Sequence, residues 1–360
     1  MKIKDIGTVV TGKTPQTSHA EYYGGKYMFV TPTELHGGYK VSHAEKTITE
    51  EGLNSIKSNT IDGTSVLVGC IGWDMGNVAM CFDKCASNQQ INSITNISED
   101  YNPFYLYYWL CTKKEYLFSI ASVTRTPILS KGVFEEIEIP EIKREDQDKV
   151  ADVLLAIDKK IEANTAINDN LQQMAHTAYM HLFFNKPANG RISDILIENS
   201  KSSIQVGEAK DVDGDYPFFT SGDAVLCWPE FLVDGRNCYL NTGGNAGVKY
   251  YVGKAAYSTD TWCISAREGL ADYLYLLLDS IKQELSQKYF QGTGLKHLQK
   301  PMLKDRPIYI PSSTELESFN QSVVPWLTLI SDNIKESQRL TLLRDWLLPM
   351  LMNGQATITD

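Results

Sequence analysis

With 360 residues, 42% of them hydrophobic and 22% charged, the chain has the composition of a folded protein large enough for two domains, which excludes a disordered or low-complexity polypeptide. A formal net charge of −10 excludes nucleic-acid binding driven by bulk electrostatics, so any such binding must rest on specific contacts or a basic partner. Apolar runs such as residues 273–278 are too short to cross a bilayer and the first residues lack a secretory core, so a soluble cytoplasmic protein with no membrane partner is expected.

The opening residues Gly7-Thr8-Val9-Val10-Thr11-Gly12-Lys13-Thr14 spell a phosphate-loop pattern. A working loop of that kind needs a buried strand before it and a helix after it. Pro15 and the polar, Gly-containing stretch that follows do not read as a helix, so nucleotide binding is not expected. From residue 26 to 94, short apolar runs alternate with Gly, Asn, Asp and Pro, the pattern of a β-rich unit with sizeable loops. Thr31, Thr33, Glu34, Trp73, Asp74, Asn77, Asn88, Gln89 and Gln90 fall in those loops. They are either donors and acceptors able to read base edges or the turn and capping residues of any β-loop.

Asn102-Pro103-Phe104-Tyr105 brushes against the tetrapeptide of amino-group methyltransferases, but Asn102 as cap and Pro103 at the first helical position explain it better. No glycine-rich loop for S-adenosylmethionine accompanies it, so no cofactor is expected. Residues 125–131, with Arg125 and Lys131, form a Pro-broken turn that suits backbone-phosphate contact or a plain interhelical connection. The seven cysteines have neither disulfide parity nor metal-site spacing, so reduced thiols and no metal are expected.

Residues 143–184 carry a helical seam of Val150, Leu154, Ile157, Ile161, Leu171, Ala175, Ala178 and Leu182, interrupted by Asn164 and Asn168. Such a seam packs along its length on another helix, and buried Asn restricts its register. Next, residues 186–311 repeat the layout of the first unit, with polar loops at 220–223, 241–247 and 258–261 and a turn at 292–298. The closing stretch from residue 314 to 352 repeats the seam through Trp326, Ile330, Asn333, Leu340, Leu347 and Leu351.

The two halves are an internal repeat. Ile161 to Asn164 answers Ile330 to Asn333, Tyr105-Leu106-Tyr107 answers Tyr273-Leu274-Tyr275, and the strand starting at Tyr27 answers that at Tyr216. The second half lacks roughly twenty residues, those around 39–59 in the first. An α+β fold is expected, with two similar β-rich domains joined by two long helices packed as an antiparallel coiled coil. The parts are residues 1–140, a central helix in 141–185, residues 186–311 and a closing helix in 312–360. Matched scaffolds with unmatched loops suggest two units doing one job on two targets.

In combination, these motifs make the chain resemble the specificity subunit of type I restriction-modification enzymes along essentially its whole length. The stretches that carry the resemblance are Gly12-Lys13-Thr14-Pro15 with Tyr22-Tyr23-Gly24-Gly25, the helix from Tyr105 to Leu110, Ile157 to Asn164, Gly292-Thr293-Gly294-Leu295 and Leu343 to Leu351. The family's proline pair and Glu-Gln are only approximated, by Pro140-Glu141-Ile142 with Glu145 and Gln147. The resemblance implies two target-recognition domains, each reading half of a split double-stranded DNA site, with two methylation subunits docking on the chain and restriction subunits joining them. Catalysis then belongs to the partners. The expected DNA-contacting residues are Lys13, Thr14, Thr31, Thr33, Trp73, Asn77, Gln89, Gln90, Arg125 and Lys131 in the first unit. In the second they are Ser221, Asn241, Thr242, Asn245, Lys249, Thr261, Thr293 and Lys296. A structural adaptor whose duplicated β-units bind protein is the alternative, separated from the first reading by a gel shift on DNA fragments.

Overall fold

The computed structural model describes residues 1–123, 125–210 and 212–358, which leaves Thr359 and Asp360, at the end of the expected closing segment, outside the described residues. The chain divides into two compact units, Met1–Lys160 with Leu340–Asp360, and Ile161–Arg339. Each unit combines a β-rich portion with stretches of the two long helices, Arg144–Leu182 and Ser313–Met352.

In the first unit a four-stranded antiparallel sheet runs in the order Thr8–Thr11, Ile91–Thr95, Ser65–Gly69, Val78–Cys81. A second sheet contains Tyr23–Val30, whose Phe29 and Val30 pair in parallel with Ala86 and Ser87. The second unit has the same arrangement. Its main sheet runs Leu196–Glu198, Thr261–Ala266, Arg236–Asn241, Val248–Val252, and Phe218 and Phe219 pair in parallel with Ala256 and Tyr257. The extra length of the first unit includes the helix Glu50–Ser55, the turn Lys57–Asn59 and the strand Thr60–Ile61, at the end of the expected segment and just beyond it.

Alternation explains the two-layer cores, because a strand buried on both faces reads as continuous apolar sequence. Ser65–Gly69 is buried at every position. One face packs on Tyr105, Leu106 and Leu110 of the helix Pro103–Cys111, the other on Val30, Leu35 and Val41. Asn102 caps that helix, its side-chain oxygen accepting from the backbone N–H of Phe104 and Tyr105, which settles the role of the tetrapeptide. In the second unit Tyr273, Leu274 and Leu277 of the helix Ala271–Ser280 fill the equivalent place.

The long helices pair within each unit. In the first, Arg344 donates to Asp158 at 2.8 Å, and Asp158 also accepts from the Tyr108 hydroxyl at 2.6 Å. In the second, Asn164 donates to Ser337 at 3.2 Å and Asn333 donates to Asn168 at 2.8 Å, a reciprocal pair that runs the helices antiparallel. Asn164 is fully buried and also donates to Glu336 at 2.8 Å, so the seam asparagines fix register through named partners. One seam residue differs from expectation. Leu182 is 40% exposed, and Tyr179 and Phe183 occupy the buried positions beside Tyr273 and Phe319. Large aromatics bury more surface than a leucine at the end of the helix, and that decides the rotation there.

Candidate nucleic-acid interface

Strand register gathers the loops of each unit at one end of its main sheet. In the first unit Thr11 faces Asn92 and Gly69 faces Ile91, so the segments following Thr11, following Gly69 and preceding Ile91 emerge together. The turn of the hairpin Ser122–Val123 and Pro127–Ile128 joins them through a bridge from Ile71 to Ile128. Three backbone hydrogen bonds lock the group: Cys70 N–H to the Gln90 carbonyl at 2.7 Å, Gly72 N–H to Pro127 at 3.0 Å, and Leu129 N–H to Cys70 at 2.8 Å.

The second unit repeats this frame bond for bond. Thr242 N–H donates to the Asp260 carbonyl at 3.1 Å, Gly244 N–H to Lys296 at 2.9 Å, and Leu298 N–H to Thr242 at 3.0 Å. Both frames turn on a glycine in the left-handed region, Gly72 at φ +108° and Gly244 at φ +76°, where a side chain would be strained. A common backbone frame thus carries different side chains in the two units.

On the first frame, Lys13 and Arg125 are exposed cations with no ion-pair partner among the described residues. Thr14 donates to Gln89 at 3.0 Å, and Gln89 is exposed. Trp73 is 70% exposed, its ring 6.0 Å from that of Phe118. Asn77 is held in a network, donating to Asp74 and accepting from Lys114 at 2.8 Å. The Lys114 hydrogen bond holds the Asp74 carboxyl below its usual range. Gln90 is partly committed, its side-chain oxygen accepting from Asn88 at 2.9 Å. The phosphate-loop letters lie here as the strand Thr8–Thr11 and an irregular segment after it, and the first helical turn beyond Thr14 is the three-residue Ala20–Tyr22. Gly12 is there for close approach: a Cβ would meet the Asn88 carbonyl oxygen at 2.1 Å.

Several expected residues serve the scaffold. Thr31 bonds Glu34 through both its N–H and its hydroxyl at 2.7 Å and opens a short helical turn, which leaves exposed Thr33 on that turn as the freer of the two. Lys131 forms an exposed i,i+4 pair with Glu135 at 3.5 Å. In the second unit Asn241 is 7% exposed and its amide donates to the Asn245 carbonyl at 3.0 Å, so it braces the 242–247 hairpin. Thr261 is 4% exposed, with its hydroxyl bonded to Ser258 at 2.9 Å and to the Phe219 carbonyl at 3.2 Å. The Lys249 ammonium donates to the Thr220 carbonyl at 2.6 Å and to Gly222, and burial lowers its pKa. All three were expected to touch a ligand; the Asn241 amide N–H, the Thr261 hydroxyl and the Lys249 ammonium are each engaged in holding the loops, while the buried Asn241 side-chain oxygen has no hydrogen-bond partner among the described residues.

The exposed set on the second frame is therefore Asn245, Thr293 and Lys296, with Thr242 and Ser221 half-buried and the Thr242 hydroxyl donating to Asp260 at 2.8 Å. Leu295, 65% exposed, joins them on the same turn. Sequence reasoning missed Lys300, which is half-buried beside this frame. It stands 169 residues after Lys131, the same offset as Ile161 to Ile330, so the repeat itself held the signal. Among the described residues no group of three or more His, Cys, Asp and Glu side chains could hold a metal ion, and no helix is long and apolar enough to cross a membrane.

Similarity to known proteins converges on one family. The family model for the type I restriction modification DNA specificity domain matches residues 1–173 and again 188–340. The MjaIX type I restriction enzyme specificity subunit of Methanocaldococcus jannaschii is 25% identical over 414 aligned positions, covering 100% of this chain and 93% of the relative. The HindI specificity subunit of Haemophilus influenzae is 32% identical over 139 positions, 38% of this chain and 30% of the relative. In fold, the chain is similar to the crystal structure of the type I restriction-modification S subunit from M. genitalium, with a TM-score of 0.64, 16% identity and coverage of 98% and 95% of the two chains.

Proposed function

The chain belongs to the type I restriction modification DNA specificity family, and from that premise we propose that its two units each read one half of a split double-stranded DNA site. It is a DNA-recognising specificity subunit without a catalytic role of its own. On this reading residues 1–140 and 186–311 are the recognition domains, and the segments 141–185 and 312–360 are the helical spacer. The observation that carries the reading is the repeated three-bond frame beneath unlike side chains. Identical backbone support with different readers is what two different half-sites require.

In each unit the exposed cations at the frame, Lys13 and Arg125 or Lys296, supply backbone contacts, and the exposed polar tips, Gln89 or Asn245, supply base contacts. Because the net charge is −10, affinity is shared with partners. Two methylation subunits dock on the chain and restriction subunits join them. Exposed Leu342, Leu343 and Trp346 on the closing helix, at 54%, 43% and 61% exposure, are the apolar surface best suited to such docking. We assign the protein to the cytoplasm, a reducing compartment consistent with seven free thiols.

The test is sequencing of the DNA methylated by the complex reconstituted with its methylation subunits. Replacing residues 186–311 by the second unit of a relative is expected to change one half of the methylated motif and preserve the other. A change in both halves, or in neither, overturns the half-site reading.

A further inference from the structure

Beside the second frame, Glu198, Asn199, Lys201, Thr242, Asp260 and Lys300 contribute to the lining of a cavity of about 410 Å³ floored by Trp262. The Lys300 ammonium lies 4.9 Å from the centre of the Trp262 ring and that of Lys304 lies 5.8 Å from it. Glu198 is already spoken for, accepting from the Trp262 indole at 2.9 Å and pairing with Lys304. Neither Lys300 nor Lys201 has an ion-pair partner among the described residues. Burial lowers the pKa of Lys300, and its neighbours Lys304 and Lys201 lower it further against the pull of Glu198.

A half-buried ammonium crowded by like charge, whose nearest carboxylate Glu198 is shared with Lys304 and the Trp262 indole, is costly to the folded protein, and an anion entering the cavity lowers that cost. The first unit lacks this arrangement although it shares the lysine. By strand register, Asn92 stands where Trp262 stands and Val9 where Glu198 stands, and the same sequence offset puts Gly12 where Lys201 stands. The first unit's counterparts therefore supply neither the indole, the carboxylate nor the second lysine, and the cavity lies against the second unit's loop frame, because Thr242 and Asp260 belong to both.

We propose that Lys300 and Lys201 bind a phosphodiester of the DNA backbone in the Trp262 cavity, a positioning contact that the second unit makes and the first does not. The proposal rests on the reading of the chain as a DNA-binding subunit. Its test uses the full chain assembled with its methylation subunits, measuring affinity against salt for cognate and unrelated duplexes. Lys300→Gln is expected to weaken binding to both duplexes alike and to flatten the slope of log affinity against log salt by about 0.9, the value for one lost phosphate contact. Lys300→Arg keeps the slope, and thermal melts of the variants separate misfolding from lost contact.

An unchanged slope in Lys300→Gln overturns the proposal. So does a loss confined to the cognate duplex, which would make Lys300 a base reader. Free phosphate titrated at constant ionic strength tests the small-anion source: if it protects the wild type but not Lys300→Gln from thermal unfolding while the DNA slope is unaltered, the cavity serves a free anion and the proposal fails. Absence of DNA binding by the wild-type complex would instead remove the underlying functional reading.

Discussion

Asn245 is exposed in the 242–247 loop, while Thr261 is buried with its hydroxyl shared between Ser258 and the Phe219 carbonyl. Their substitutions are expected to separate cleanly. Asn245→Ala lowers discrimination at one base pair by about 1–3 kcal/mol and leaves the melting temperature in place. Thr261→Val removes buried hydrogen bonds, lowers stability by about 1 kcal/mol and leaves the methylated motif unchanged. Methylation sequencing and thermal unfolding of both variants check the pair of outcomes. Residue type marked both positions alike in the sequence, because Asn and Thr serve bases and turns with the same atoms. Which hydroxyl is already used depends on strand register, and that is set by contacts far away in the chain. Lys249 shows the same limit, since a lysine reads as a surface cation until the carbonyls of Thr220 and Gly222 are seen to hold it.

The closing helix begins with a reciprocal cap in which the Ser312 N–H and hydroxyl donate to Glu315 at 2.8 Å. Hydrogen bonding from Lys186, then from Ser312, lowers the Glu315 pKa from 4.5 to about 2. A carboxylate depressed on folding contributes stability that is complete above the unfolded pKa and is lost as the pH falls through the folded one. Glu315→Gln is therefore expected to lower the melting temperature fully above pH 4.5, with the difference fading between pH 4.5 and 2. Thermal scans across that window check it; a difference independent of pH would mean that the carboxylate charge is irrelevant. Deeper in the same unit, Asp272 is 1% exposed and accepts from Arg236 at 2.6 and 2.8 Å, while Arg236 also donates to Thr328 at 2.5 Å. This ties the helix Ala271–Ser280, the strand Arg236–Asn241 and the closing helix together. Asp272→Ala strands a partly buried guanidinium and is expected to cost about 3–5 kcal/mol in denaturant unfolding. The two long helices were legible from spacing alone, since Leu154, Asn164, Ala175 and Asn333 are all buried. The Arg236–Asp272 tie was not, because no local pattern links residues 36 positions apart on a strand and a helix.

At the scale of the whole molecule the repeat was the strongest signal in the sequence, and the paired Phe29–Ala86 and Phe218–Ala256 ladders reproduce it strand for strand. What the repeat could not give was which side chains reach a ligand, because the frames agree in backbone while their loops differ in letters and length. If each unit reads one half of a split site, as proposed, the same repeat makes the helices a candidate ruler for the gap between the halves. The reciprocal Asn164–Ser337 and Asn333–Asn168 bonds fix one register of the pair, so length added to both helices together preserves the seam. Four residues lengthen a helix by about 6 Å and turn it by about 400°, a net rotation of about 40°. On DNA, about 6 Å is a little under two base pairs at roughly 34 Å per turn, with a comparable twist. Inserting four seam-compatible residues beside Asn168, matched by four beside Asn333, is therefore expected to keep both half-sites and widen the gap between them by one or two base pairs. Sequencing the DNA methylated by the reconstituted complex reads the outcome directly. An unchanged gap with full activity would mean that the loops, not the helices, set the spacing, because an inserted turn would then have been absorbed without moving either reader on its half-site.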